Sequence, residues 1–145
     1  MDTSRIPIMF IMKLSKTLKR LSWLFFLFLA AIIFTKDVGF AKSFFRMIDE
    51  IPMGDKLGHF FLMGTMVFLV NLSLKCKKIQ IGRFWVQKGL VIVAPFVFLE
   101  EFSQMFISSR QFSSGDMLAD LLGLLFFSYL SQKVFENPIL RSTVS

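Results

Sequence analysis

The hydrophobic positions of this chain fall into four long runs, and the short stretches between them hold nearly all of its charge. Residues 21–34 read LSWLFFLFLAAIIF and close at Lys36 and Asp37. With Trp23 and its flanks this run reaches about 17 residues, the lower limit for a helix crossing a bilayer. A second run, residues 57–74, is strongly polar only at His59 near its start and Asn71 near its end. The third extends from about residue 84 or 89 to about 106 and contains Pro95; the fourth opens at Asp116 and runs to about 134. Proline tends to kink a helix, but a membrane bundle can satisfy the carbonyl it frees. The pattern predicts an all-α polytopic membrane protein with four transmembrane helices in one bundle. Residues 1–20 form a basic N-terminal segment, 21–135 the transmembrane domain and 136–145 a tail.

Two stretches admit alternatives. The basic start, the apolar run and the small residues Gly39 and Ala41 also fit a cleaved signal peptide, against which the long basic lead favours an uncleaved first helix. Between the first two runs, Phe40, Phe44, Phe45 and Ile48 recur at spacings of three and four, as in an amphipathic helix on a membrane surface or an ordinary partly packed loop. Pro52 and Gly54 then mark a turn before Asp55.

Composition excludes a soluble domain. Hydrophobic residues make up 54% of the chain and its mean hydropathy is +0.64, more than a polar surface could cover. The net charge of +7 does not indicate nucleic acid, because the basic residues flank apolar runs. It sets topology instead, since Lys and Arg collect on cytoplasmic flanks. Segment by segment they number five at the N-terminus, four in 36–56, five in 75–88, one in 107–116 and two at the C-terminal end. Twelve therefore fall on one side and five on the other. Both termini are expected in the cytoplasm, with 36–56 and 107–116 outside. The single Cys76 can form neither an internal disulfide nor a zinc site alone, and an unremarkable free thiol in a cytoplasmic loop is expected.

That orientation collects polar residues distant in the chain at one level. Asp55 and His59 are four apart, on one face at the outer end of the second span. Glu101 and Gln104 are three apart toward the outer end of the third, and Glu100 points about 100° away from Glu101. Arg110 lies in the outer loop. Asp116, Asp120 and Gly123 form one stripe opening the fourth span, with Gly123 placed to admit a neighbouring helix closely. A charged side chain deep in a span costs about 2.5–3.5 kcal/mol on insertion scales, so the three stripes are expected to face inward, with Arg110 neutralising acids. Asp55 and Asp116 also suit helix N-termini and could serve only as caps. One His with several carboxylates could hold a hard or borderline cation, but the two-His spacing of HExxH is absent, and neither a metal nor a cofactor is expected. General acid–base chemistry by His59 with Glu101 or Asp116 is chemically reasonable.

At these residues the chain resembles the VanZ-like family of small bacterial membrane proteins. The resemblance rests on Asp55-Lys56-Leu57-Gly58-His59-Phe60 opening a span, on Glu101-Phe102-Ser103-Gln104, and on Arg110, Asp116 and Gly123 after them. It covers about residues 50 to 130. Asp120 departs from it, standing where many members carry asparagine. The founding member is associated with low-level resistance to the glycopeptide teicoplanin. The resemblance implies a multi-pass protein of the bacterial inner membrane, acting near the outer leaflet where cell-wall precursors and anionic lipids lie.

Three functional expectations follow. In the first, an outward polar pocket binds a lipid-linked or anionic envelope molecule such as a cell-wall precursor, using Asp55, Gln104, Arg110, Asp116 and Asp120. In the second, the protein is a membrane-embedded hydrolase or transferase acting on an envelope lipid, with His59 and Glu101 as acid and base. In the third, it is an accessory subunit of an envelope assembly with a protein partner, and the polar cluster serves the fold.

Overall fold

A computed structural model describes residues 8–40, 43, 47, 51–107 and 112–137. The chain is an all-α bundle of four helices: α1 (Ile8–Asp37), α2 (Gly54–Ser73), α3 (Lys88–Ser103) and α4 (Ser114–Glu136). Each holds a stretch long and apolar enough to cross a membrane, of 22, 20, 19 and 23 residues respectively, the third including the 3-10 turn Gln104–Phe106 that ends α3. This is a multi-pass membrane protein.

The burial pattern is the reverse of a water-soluble fold. Asn71, Glu101, Asp120 and Ser131 are fully buried, while Phe34, Phe96 and Leu99 are between 61% and 67% exposed. In lipid the apolar exterior is solvated, and the polar groups are the ones that must find partners inside. Every helix contributes to the apolar core: Leu29 from α1, Met63 and Val67 from α2, Val93 and Val97 from α3, Leu124 from α4.

Helices α2 and α4 form the closest pair, and two glycines set their separation. A Cβ at Gly123 would collide with the backbone carbonyl of Phe60, and one at Gly64 with the ring of Phe127. Small residues let backbones approach where packing rather than hydrophobicity drives association. Around this contact Phe127 meets Phe60, Phe61 and Phe68 at ring-centroid distances of 5.7, 6.2 and 6.5 Å, all edge to face.

Helix α1 differs from the first span expected at 21–35. It continues unbroken from Ile8, so Lys13, Lys16, Lys19 and Arg20 lie on the helix itself. Leu29 anchors it in the core, with Phe25 packed against that cluster. The amphipathic reading of Phe44, Phe45 and Ile48 falls outside the described residues. Helix α2 begins as the sequence suggests, after a turn in which Met53 takes a left-handed conformation (φ 62°).

The link between α2 and α3 decides between the two starts, near 84 or 89, that the sequence leaves open for the third span, in favour of the later one. It contains an antiparallel hairpin, β1 (Lys78–Ile81) with β2 (Phe84–Gln87), and α3 therefore starts at Lys88 and not at Phe84. Gly82 at the first turn position has φ +59° while Arg83 does not, as a two-residue type II′ turn requires. The hairpin base is fastened to the bundle. Lys88 N–H donates to Lys77 O at 2.7 Å, and Gln87 Oε1 accepts from Asn71 Nδ2 at 2.8 Å. Gln87 Nε2 donates to Gln132 at 3.0 Å, and Asn71 Nδ2 also reaches Ser128 Oγ at 3.3 Å. Asn71 Oδ1 lies against Gly89, where a side chain would not fit.

Cys76 belongs to this buried polar layer, against the expectation of an unremarkable loop thiol. It is buried, with φ 48°, and its Sγ lies 3.4 Å from Ser131 O. Burial pushes the thiol pKa above its ordinary value, so the nucleophilic thiolate is scarce and shielded.

Candidate functional site

At the opposite end of the bundle, three helices turn polar side chains toward one another. His59, one turn into α2, places Nδ1 3.1 and 3.2 Å from the two carboxylate oxygens of Asp120 on α4. Against an ionised carboxylate, which only accepts, Nδ1 carries the proton, and in the neutral imidazole Nε2 is then left to accept or to bind. Glu101, near the end of α3, is fully buried. Its Oε2 accepts from Gln104 Nε2 at 2.9 Å, and its Oε1 accepts from the backbone N–H of Ser113 at 3.2 Å. Glu101 thereby ties the end of α3 to the start of α4. Gln104 Nε2 also reaches both oxygens of Glu100, at 3.1 and 3.2 Å. One amide thus holds the two adjacent glutamates, Glu101 inward and Glu100 on the flank of the bundle.

Asp55 and Asp116 complete the layer, and neither caps a helix with its side chain. The N-cap of α2 is Met53, without a side-chain bond, and that of α4 is Ser113, whose Oγ accepts from Asp116 N–H at 3.3 Å. Their carboxylates pair with lysines instead. Lys36, at the end of α1, lies 2.9 Å from Asp55, and Lys56 lies 3.4 Å from Asp116. Both lysines bring positive charge to the rim of an otherwise acidic cluster. Sequence reasoning assigned that role to Arg110, which lies outside the described residues, and missed Lys36 and Lys56. The available signal was their position: Lys36 closes the first apolar run at the level where Lys56 opens the second.

The cluster presents two overlapping donor sets. One ligand atom each from His59, Glu101 and Asp120 lie within 4.8 Å of one another, and so do those from Asp55, His59 and Asp116. Such nitrogen and oxygen donors suit a hard or borderline divalent cation. They equally suit proton exchange between an imidazole and a carboxylate.

A long apolar groove of about 640 Å³ runs along the flank between α1, α2 and α3, within the range of ligand-binding cavities. Phe26, Ile33, Met66, Val93, Phe96 and Val97 are among its walls, Lys19 lies at one end, and Asp37 and Glu100 lie at the other. Because Glu100 shares Gln104 with Glu101, the groove reaches the edge of the polar cluster.

The structure thus brings Asp55, His59, Glu101, Gln104, Asp116 and Asp120 to one end of the bundle, His59 contacting Asp120 and Gln104 contacting Glu101 directly. No protein-family model matches the chain, and neither does any curated protein or solved structure. Fold and site define a multi-pass four-helix membrane protein with a buried His–carboxylate cluster beside a lateral apolar groove.

Proposed function

We propose that this chain is a VanZ-like protein of the bacterial inner membrane whose polar cluster, at the outer face, binds the head of a lipid-linked or anionic envelope molecule. The observation that carries the reading is the meeting of apolar groove and polar cluster at Glu100 and Gln104. An amphiphile with its chain along Phe26, Ile33 and Phe96 would bring its head to that end of the bundle. Lys36 and Lys56 support an anionic head, since a phosphate or carboxylate there would compete with Asp55 and Asp116 for the two ammonium groups. A link to teicoplanin tolerance rests on the family resemblance alone.

The His59–Asp120 pair favours a second reading, that of a hydrolase or transferase on the same class of molecule. His59 Nε2 would take the proton of an attacking water or hydroxyl while Asp120 stabilises the imidazolium that forms. Glu101 is placed to share the proton traffic. In this reading His59→Gln abolishes turnover of a bound lipid without releasing it.

Both readings require the cluster to face outward. Phe112 stands just before α4, beside the Ser113 that contacts Glu101, and stacks on Phe102 at 6.0 Å. A Phe112→Cys variant is expected to react with a membrane-impermeant maleimide in intact cells. The unsubstituted chain should stay unlabelled, because Cys76 is its only cysteine and is buried. Labelling only from the cytoplasmic side, in inverted vesicles, would overturn the proposal.

A further inference from the structure

The α2–α3 hairpin has an unpartnered apolar face, and we propose that it docks on the anionic phospholipid surface of the leaflet next to it. Strand geometry sends alternate side chains to opposite faces. The register pairs Ile79 with Val86 and Ile81 with Phe84, so these four apolar residues share one face, opposite Lys78, Gln80, Trp85 and Gln87. Gln87 at the base is buried and tied into the bundle through Asn71 and Gln132, whereas Trp85 farther along the same face is 66% exposed, so the hairpin stands clear of the bundle beyond its base. Ile79 and Val86 are half-buried at the base, but Ile81 and Phe84 at the tip are 49% and 62% exposed.

Two strands of four residues are marginal in water without something to pack on. Here β1 follows α2 after four residues and β2 runs directly into α3, so Phe84 at the tip cannot lie farther than about 14 Å from the start of that span, at about 3.4 Å per residue. The covering material within that reach is the membrane surface. Charge selects which lipids. Lys77, Lys78, Arg83 and Lys88 are exposed around the hairpin, and residues 75–88 contain no acid. The Arg83 guanidinium stands 5.3 Å over the Phe84 ring, placing a cation beside the apolar tip, the combination that binds anionic lipid interfaces. Docked in this way, the hairpin fixes the depth of the buried polar layer formed by Asn71, Gln87 and Ser128. This inference rests on the membrane-spanning fold and the hairpin geometry, independently of the ligand proposed for the cluster at the other end.

The test uses the full chain, with Cys76→Ala to remove the native thiol and a nitroxide on Ile81→Cys. The protein is reconstituted in nanodiscs of phosphatidylcholine alone or mixed with phosphatidylglycerol. The label is expected to be shielded from a water-soluble nickel chelate and accessible to oxygen, more strongly with phosphatidylglycerol. Replacing Lys77, Lys78 and Arg83 by glutamine should remove the difference between the two lipids. A Phe84→Cys label should report the same depth, so that a local disturbance at one position cannot decide the result. Equal exposure to the chelate in both lipids, at both positions, would overturn the proposal. So would spin–spin coupling between labels that grows with the number of copies per disc, which would assign the face to a second copy of the chain.

Discussion

Replacing Gly123 with alanine is expected to loosen the α2–α4 contact and, with it, the polar cluster. The added methyl would meet the backbone of Phe60, which cannot rotate out of the way, so the two helices must part. Overpacking of this kind costs about 1–3 kcal/mol, and valine should cost more. Two other glycines supply the scale. Gly64→Ala would press on the Phe127 ring, which can turn, and the loss should be smaller. A methyl group added at Gly58 would meet nothing within 4 Å, so Gly58→Ala should be neutral or slightly stabilising through helix propensity. Thermal unfolding in detergent should rank the three variants in that order, with Gly123→Ala lowest. The effect reaches the site because Phe60 follows His59 and Gly123 lies one turn beyond Asp120. Parting the helices there draws the imidazole from its carboxylate.

His59→Ala is the second large effect. Asp120 and Glu101 are both fully buried, and His59 is the only basic group that directly bonds Asp120 among the described residues. Removing the donor of a buried hydrogen bond to a carboxylate costs about 1–3 kcal/mol or more, because the acceptor is left buried without compensation. Adding Asp120→Asn to His59→Ala should therefore restore part of the stability, since the amide needs no counter-charge. Unfolding of the two single variants and the double variant forms a closed cycle. If the losses simply add, the pair does not act as a unit and something else holds Asp120.

Much of the fold was legible because the apolar runs are long and the charges between them short. The cluster was partly legible for the same reason: helical spacing aligns Asp55 with His59, and Asp116 with Asp120 and Gly123, and the alternation of spans puts those ends together. Other features depend on how helices cross, which spacing along one chain does not encode. Lys36 meets Asp55 across α1 and α2, and the Asn71–Gln87–Gln132 chain joins α2, the hairpin and α4. The hairpin was obscured because its apolar alternation lasts only four residues per strand and is embedded among lysines. Its one local signal was Gly82-Arg83 between Ile81 and Phe84. Cys76 looked like a solvated loop thiol because its neighbours are lysines, yet a left-handed turn folds it back beneath Ser131.

The central claim, that the groove and cluster together hold an anionic amphiphile, is tested most directly by what the purified protein carries. Mass spectrometry of the protein taken from bacterial membranes in mild detergent should find an amphiphile with an anionic head retained by the unsubstituted chain. Ala30 lines the groove from α1 with its methyl group exposed, so Ala30→Trp would fill the groove without repacking the core. The account predicts that Ala30→Trp folds normally and loses this lipid, and that Lys36→Gln, which removes one of the two ammonium groups offered to the head, weakens its retention. The same lipids in the same amounts on all three proteins would contradict it.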